Sequence, residues 1–184
     1  MVTVPRMKRL LGIAILLSAV VAPLSATLVE RLTLEQLAGR SERIVHGRCL
    51  RTWSAWDANR EAIWTHCEVE VVDPLKGGAV KTLVVSEPGG VVDGVEMSVE
   101  GVAHFERGEE MVLFLYRVPN GLWRARGLGQ GKFRVTGGQV HLALEGLSLV
   151  DPVRPPVVRS TDLRSLEGIS VDRFKAAIRG AVTR

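Results

Sequence analysis

Residues 44–78, IVHGRCLRTWSAWDANREAIWTHCEVEVVDPLKGG from Ile44 to Gly78, carry the pattern that decides the fold. Two extended arms, Ile44 to Trp53 and Ala62 to Val72, flank a polar tip at Asp57-Ala58-Asn59-Arg60, which predicts a long antiparallel hairpin. A tip centred on Ala58 sets Cys49 opposite Cys67, nine residues to either side. Alternation then puts Val45, Gly47 and Cys49 on one face with Ile63, Thr65, Cys67, Val69 and Val71. The other face carries His46, Arg48, His66, Glu68 and Glu70 and is expected to meet water.

The first 26 residues have the layout of an export signal. Arg6, Lys8 and Arg9 form a basic start, Leu10 to Val21 is an apolar run of twelve, and Leu24-Ser25-Ala26 supplies a small residue before a cut. The run is shorter than the about 20 residues a spanning helix needs, so no stable membrane anchor is expected after cleavage. Cleavage after Ala26 leaves 158 residues, which suffice for one domain, and lowers the formal net charge from +4 to +1. The remaining chain lacks the basic footprint of a nucleic-acid binder. The expected location is secreted or periplasmic. There, the chain's 2 cysteines read as one disulfide, Cys49–Cys67, the alternative being two buried thiols.

Outward from the hairpin, Thr27 to Leu32 reads as an edge strand or extended lead-in. Thr33-Leu34-Glu35-Gln36 has the form of a capping box opening a short helix. Lys81 to Ser86 is a third strand, and Glu87 to Glu100 is a long excursion. Glu110 to Arg117 (EMVLFLYR) is apolar on both faces, as in a centrally buried strand. Leu122 to Arg126 follows. Lys132 to Leu144 forms a second hairpin about Gly137-Gly138, pairing Val135 with Val140, Phe133 with Leu142 and Arg134 with His141. Asp151 to Ser160 is a proline-containing strap. Ser170 caps an amphipathic helix with Phe174, Ala177, Ile178 and Ala181 on one side. The expected organisation is a signal over 1–26, a β-domain over 27–150, and strap plus helix over 151–184. The fold class is mainly β: an OB-like antiparallel barrel of five to seven strands with a short N-terminal and a C-terminal amphipathic helix, a β-sandwich being the alternative.

Three segments carry a resemblance: Ile44-Val45-His46-Gly47, Leu75-Lys76-Gly77, and Arg107-Gly108-Glu109-Glu110-Met111-Val112-Leu113-Phe114. They resemble the core of tissue-inhibitor-of-metalloproteinases and netrin-type modules. The layout, with GLGQGKFRV after it, also resembles exported bacterial proteins of unassigned function. The likeness runs from about Leu34 to Val135 and implies an OB-type barrel. Those inhibitors grip a protease zinc through an N-terminal cysteine. Here the mature chain would begin at Thr27, with Cys49 well inside it, so the resemblance does not carry that chemistry over.

The sequence presents no catalytic constellation, and no enzyme, metal or cofactor is expected. Gly127 to Lys132 lacks the spacing and the Ser or Thr of a phosphate loop, and reads as a turn. Ser86, Ser98 and Ser148 have no neighbouring base, His46, His66, His104 and His141 read as surface groups, and Glu109-Glu110 and Glu68/Glu70 as solvated charge. Trp53, Trp56 and Trp64 gather three of the chain's 4 tryptophans at the hairpin tip. They cap an open barrel end or bind a ligand. The expectation is an exported binding module, using the tip of the first hairpin and the long excursion from Glu87 to Phe105, with a protein or glycan partner outside the cytoplasm. The alternatives are a regulator or inhibitor of an extracellular protease, or a hydrolase whose site is assembled only in space.

Overall fold

A computed structural model describes residues 27–151 and 160–183; the segment read as an export signal (1–26) and most of the segment read as a strap lie outside the described residues. Thr27–Glu30 is β1, and Leu34–Arg40 is the first helix, α1. Its capping box forms as the sequence predicts: Gln36 N donates to Thr33 Oγ1, and Thr33 N donates to Gln36 Oε1. β2 (Arg43–Trp56) and β3 (Ile63–Lys76) make the long hairpin. β4 (Thr82–Pro88), β5 (Gly90–Val92), β6 (Val95–Met97), β7 (Glu110–Arg117) and β8 (Trp123–Ala125) follow. A 3-10 turn at Leu128–Gly131 leads into β9 (Lys132–Thr136) and β10 (Gln139–Leu142). β11 (Leu147–Val150) and the last helix, α2 (Val171–Val182), complete the fold.

The protein is mainly β. Seven strands form one sheet in the order β10-β9-β7-β2-β3-β4-β8, and β8 also pairs with β7. The expected all-antiparallel arrangement is corrected to a mixed one: β4 meets β8 in parallel at Val85–Trp123, and β1 runs parallel to β11. The second hairpin has the predicted register, Val140 with Val135, His141 with Arg134 and Leu142 with Phe133.

The first hairpin does not. Its turn spans Asp57–Ala62, because Asp57 Oδ1 accepts Glu61 N at 2.8 Å and Asp57 N donates to Ala62 O. Arg60 takes the left-handed conformation that closes the turn (φ 59°). Cys67 therefore opposes Thr52, and Cys49 opposes Val69. That offset of three residues would by itself have turned Cys49 outward. A bulge at Leu50, between the Cys49 and Arg51 pairs, inserts one residue and turns it back. The predicted inward face thus survives although its pairs do not.

Both faces of β2 and β7 are covered. Ile44, Val112 and Phe114 pack with Leu34, Leu37, Phe133, Phe174 and Ile178 under the two helices. The alternate positions, Val45, Met111, Leu113 and Leu115, pack with Cys49, Cys67, Val69, Val85 and Phe105 on the other side. This accounts for the unbroken apolar run of β7.

Candidate functional site: a cleft behind the tryptophan face

Strand alternation sends Trp64 and His66 to one side of β3 and Thr65 to the other. On the inner side the chain crosses β3 at Gly89-Gly90. Thr65 Oγ1 donates to Gly89 O at 2.7 Å and lies 3.0 Å from Ser54 Oγ. Both glycines have positive φ (110° and 130°), and a Cβ on Gly90 would stand 2.4 Å from Ser54 Oγ. The close crossing lets the β5–β6 hairpin fold over the sheet. A cleft of about 220 Å³ opens between Glu87–Val91, Glu96–Val99 and Val102–Phe105, with Thr65 beneath. Val91 and Val95 of the covering hairpin stand exposed to water.

Glu87, almost wholly buried at the cleft wall, is held from both oxygens. Oε1 accepts Ala125 N at 2.6 Å, and Oε2 accepts Arg124 Nη2 at 2.9 Å. Burial pushes its carboxyl above the usual range, against the opposing pull of Arg124. The same guanidinium lies over the Trp64 ring at 5.6 Å and so ties the cleft wall to the outer face. On that face Trp53 stacks on His66 at 5.2 Å, and Arg51 lies over Trp53 at 4.6 Å. Trp56 pairs Ile63 on the opposite side of the hairpin, with Arg60 over its ring. Of the three predicted tryptophans, the fold therefore brings Trp53 and Trp64 to one surface. All three are half-buried, each against a cation.

The cysteines are free thiols, not a disulfide, and both are buried. Cys67 Sγ donates to Cys49 Sγ at 2.8 Å. Burial pushes both thiols up.

Four site readings from the sequence are corrected. Ser86 does have a base beside it: His66 Nδ1 lies 2.8 Å from its Oγ, directly across the β3–β4 pair. Ser86 is fully buried, and burial holds the His66 pKa down. His46 is no surface group; it is buried, with Nε2 2.8 Å from Glu110 Oε1. Glu109 is not solvated charge. Its carboxylate accepts Lys132 Nζ at 2.7 Å and Arg134 Nε at 2.9 Å, while Lys132, itself buried, also donates to His104 O. Burial pushes the Glu109 carboxyl up, and these cations more than offset it, leaving it below the usual range. Glu68, set down with it as solvated, is partly shielded and accepts Arg51 Nε at 2.6 Å.

No group of three or more His, Cys, Asp or Glu able to hold a metal occurs among the described residues. No helix among them is long and apolar enough to cross a membrane. The cleft walls lie within the Glu87 to Phe105 excursion that the sequence reading joins to the hairpin tip; what sequence reasoning missed is the enclosed cleft itself and the role of Arg124. The available signal was Gly89-Gly90, a pair that a plain strand end does not require. Comparison with family models, curated proteins and solved structures returns no match.

Proposed function

We propose that this chain is an exported binding module on an OB-type barrel, taking its partner at the tip end of the β2–β3 hairpin. The barrel reading is supported by the circuit of pairings β7-β2-β3-β4-β8 and back to β7, in which each strand has two neighbours. In small OB barrels the loops at one end form the ligand face. Export rests on the order of basic start, apolar run and small residue before Thr27.

The observation that carries the binding reading is the cleft. Its walls are mainly apolar (Met97, Val99, Val102, Phe105), with Glu96, Ser98 and Thr65 as polar points. At about 220 Å³ it is small; sites that engulf a whole small molecule run to about 300–1,000 Å³. It suits one protruding group of a larger partner, a protein side chain or one unit of a glycan. The Trp53–His66–Trp64 surface behind it offers the partner a flat second contact. Binding rather than hydrolysis fits the fully buried Ser86 hydroxyl, which no substrate carbonyl can approach.

The test is recovery of partners from envelope and culture medium by the mature chain, alongside Ser98→Trp, which obstructs the cleft from an exposed position, and Trp64→Ala. A partner retained by the wild type and lost with Ser98→Trp supports the cleft. An undiminished yield with both variants removes the reading. A protease as that partner would make the module a protease regulator, as the resemblance implies.

A further inference from the structure

Ala103 and Phe105 line the cleft and belong to the same buried apolar cluster as Cys49 and Cys67. The exposures of the two cysteines are 1% and 0%, and their surroundings are apolar: Val45, Val69, Val85, Met111 and Leu113. We propose that Cys49 and Cys67 are a folding-gated disulfide site, joined by thiol–disulfide exchange while the β2–β3 hairpin is still open and sealed from further exchange once it closes.

The geometry supports both halves. The sulfurs stand 2.8 Å apart. A disulfide bond is about 2.05 Å long, so closure needs less than about 1 Å of movement. The bulge at Leu50 brings the sulfurs together: Cys49 opposes Val69, two residues along β3 from Cys67, and both side chains turn inward. The seal follows from burial. Exchange requires a thiolate in contact with the attacking or attacked sulfur. In the folded chain burial keeps both groups as thiols, and neither is open to solvent. In the open hairpin both are exposed and ionise normally.

The oxidant is a disulfide-form thiol carrier. One cysteine, its proton given to solvent, attacks a carrier sulfur. A mixed disulfide forms and one carrier thiolate leaves. The second cysteine, likewise deprotonated, attacks the protein-side sulfur of that mixed disulfide. The Cys49–Cys67 bond forms and the second carrier thiolate leaves, each thiolate taking up a proton. The carrier is reduced by two electrons and the protein oxidised by two. In the cell the step rests on the export reading, which supplies the oxidising compartment.

The experiment uses the wild-type mature chain and oxidised glutathione. One sample is reduced, unfolded and refolded in the oxidant. A second is folded in reductant, verified by circular dichroism, and then exposed to the same oxidant. Non-reducing peptide mapping should find the linked Cys49 and Cys67 peptides in the first. The second should retain two free thiols and no glutathione adduct until denaturant is added. Free thiols or adducts alone after oxidative refolding would overturn the bond. Oxidation of folded protein at the rate seen in denaturant would overturn the seal. Bond formation in vitro, with the protein and its two thiols found only in the cytoplasm, would leave the site standing and count against export; two free thiols in protein recovered from an oxidising compartment outside the cytoplasm would overturn the proposal for the cell.

Discussion

Gly90 shows how a single residue sets the cleft. At φ 130°, with Ser54 Oγ and Thr65 Oγ1 2.4 and 2.5 Å from where a Cβ would sit, it has neither the conformation nor the room for a side chain. Gly90→Ala is expected to cost about 1–3 kcal/mol from backbone strain alone and to lower the urea midpoint. Gly94→Ala, at the β5–β6 turn, also has positive φ but nothing within 4 Å, so it carries strain without a clash. An equal loss in the two variants would show that the crossing over β3 is not tight. Glu109 sets a pH dependence at the same scale. Its carboxyl titrates below its unfolded value, so the stability it contributes is complete above the ordinary carboxylate range and is lost as pH falls through the folded pKa. Glu109→Gln should therefore weaken the protein at neutral pH and flatten its acid loss. Glu87 has the opposite sign. Its folded pKa is raised, so stability falls as pH rises through it, and Glu87→Gln should remove that fall. Urea midpoints for the three proteins across the acidic range check both slopes.

At the scale of elements, what was legible in the sequence was what local chemistry determines. Thr33 and Gln36 specify the start of α1 whatever surrounds them, Gly137-Gly138 fixes the β9–β10 register, and the unbroken apolar run of β7 announces burial on both faces. The register of β2 and β3 was not legible. It depends on where Asp57 anchors the turn and on shifts at three places along β2, each the outcome of packing against β7 and β3. The pairing of β1 with β11 joins residues about 120 apart, with no local mark on either. The segments of the cleft were legible as the hairpin tip and the Glu87 to Phe105 excursion, but their closure into a cleft was not, because its walls are largely irregular chain placed by tertiary contacts. For α2 the sequence pattern leads to a firm expectation. Phe174 is fully buried, 4.5 Å from the Phe133 ring and 6.2 Å from Phe114. Phe174→Ala should cost about 3–5 kcal/mol. Ala176→Ser, on the exposed side of the same helix, should leave the urea midpoint almost unmoved. A small effect of Phe174→Ala would mean that α2 does not cover the sheet in solution.

Across the whole molecule, the two ends of the β-domain are tied together at Gln130, which is fully buried. Its Oε1 accepts Leu32 N at 2.9 Å, and its Nε2 donates to Glu30 O at 3.1 Å and Gly127 O at 3.3 Å. From the turn that precedes β9, one amide thus satisfies the carbonyl of the last residue of β1 and the N–H of Leu32 just after it. β1 itself runs Thr27–Glu30 against Leu147–Val150, and Leu147 packs where a Cβ on Gly101 would stand, beside the cleft wall. Removal of β1 would leave the β11 edge unpaired and would strip Gln130 of its Glu30 acceptor. From the basic start, apolar run and small residue before Thr27, N-terminal sequencing of secreted material is expected to begin close to that residue. Gln130→Ala should cost about 1–3 kcal/mol, the penalty for a buried donor left without a partner. It should also make the first residues up to Leu32 sensitive to aminopeptidase. A stable exported species starting beyond Glu30, or a Gln130→Ala protein whose N-terminus resists trimming as well as the wild type, would show that the β1–β11 pair is dispensable to the mature fold.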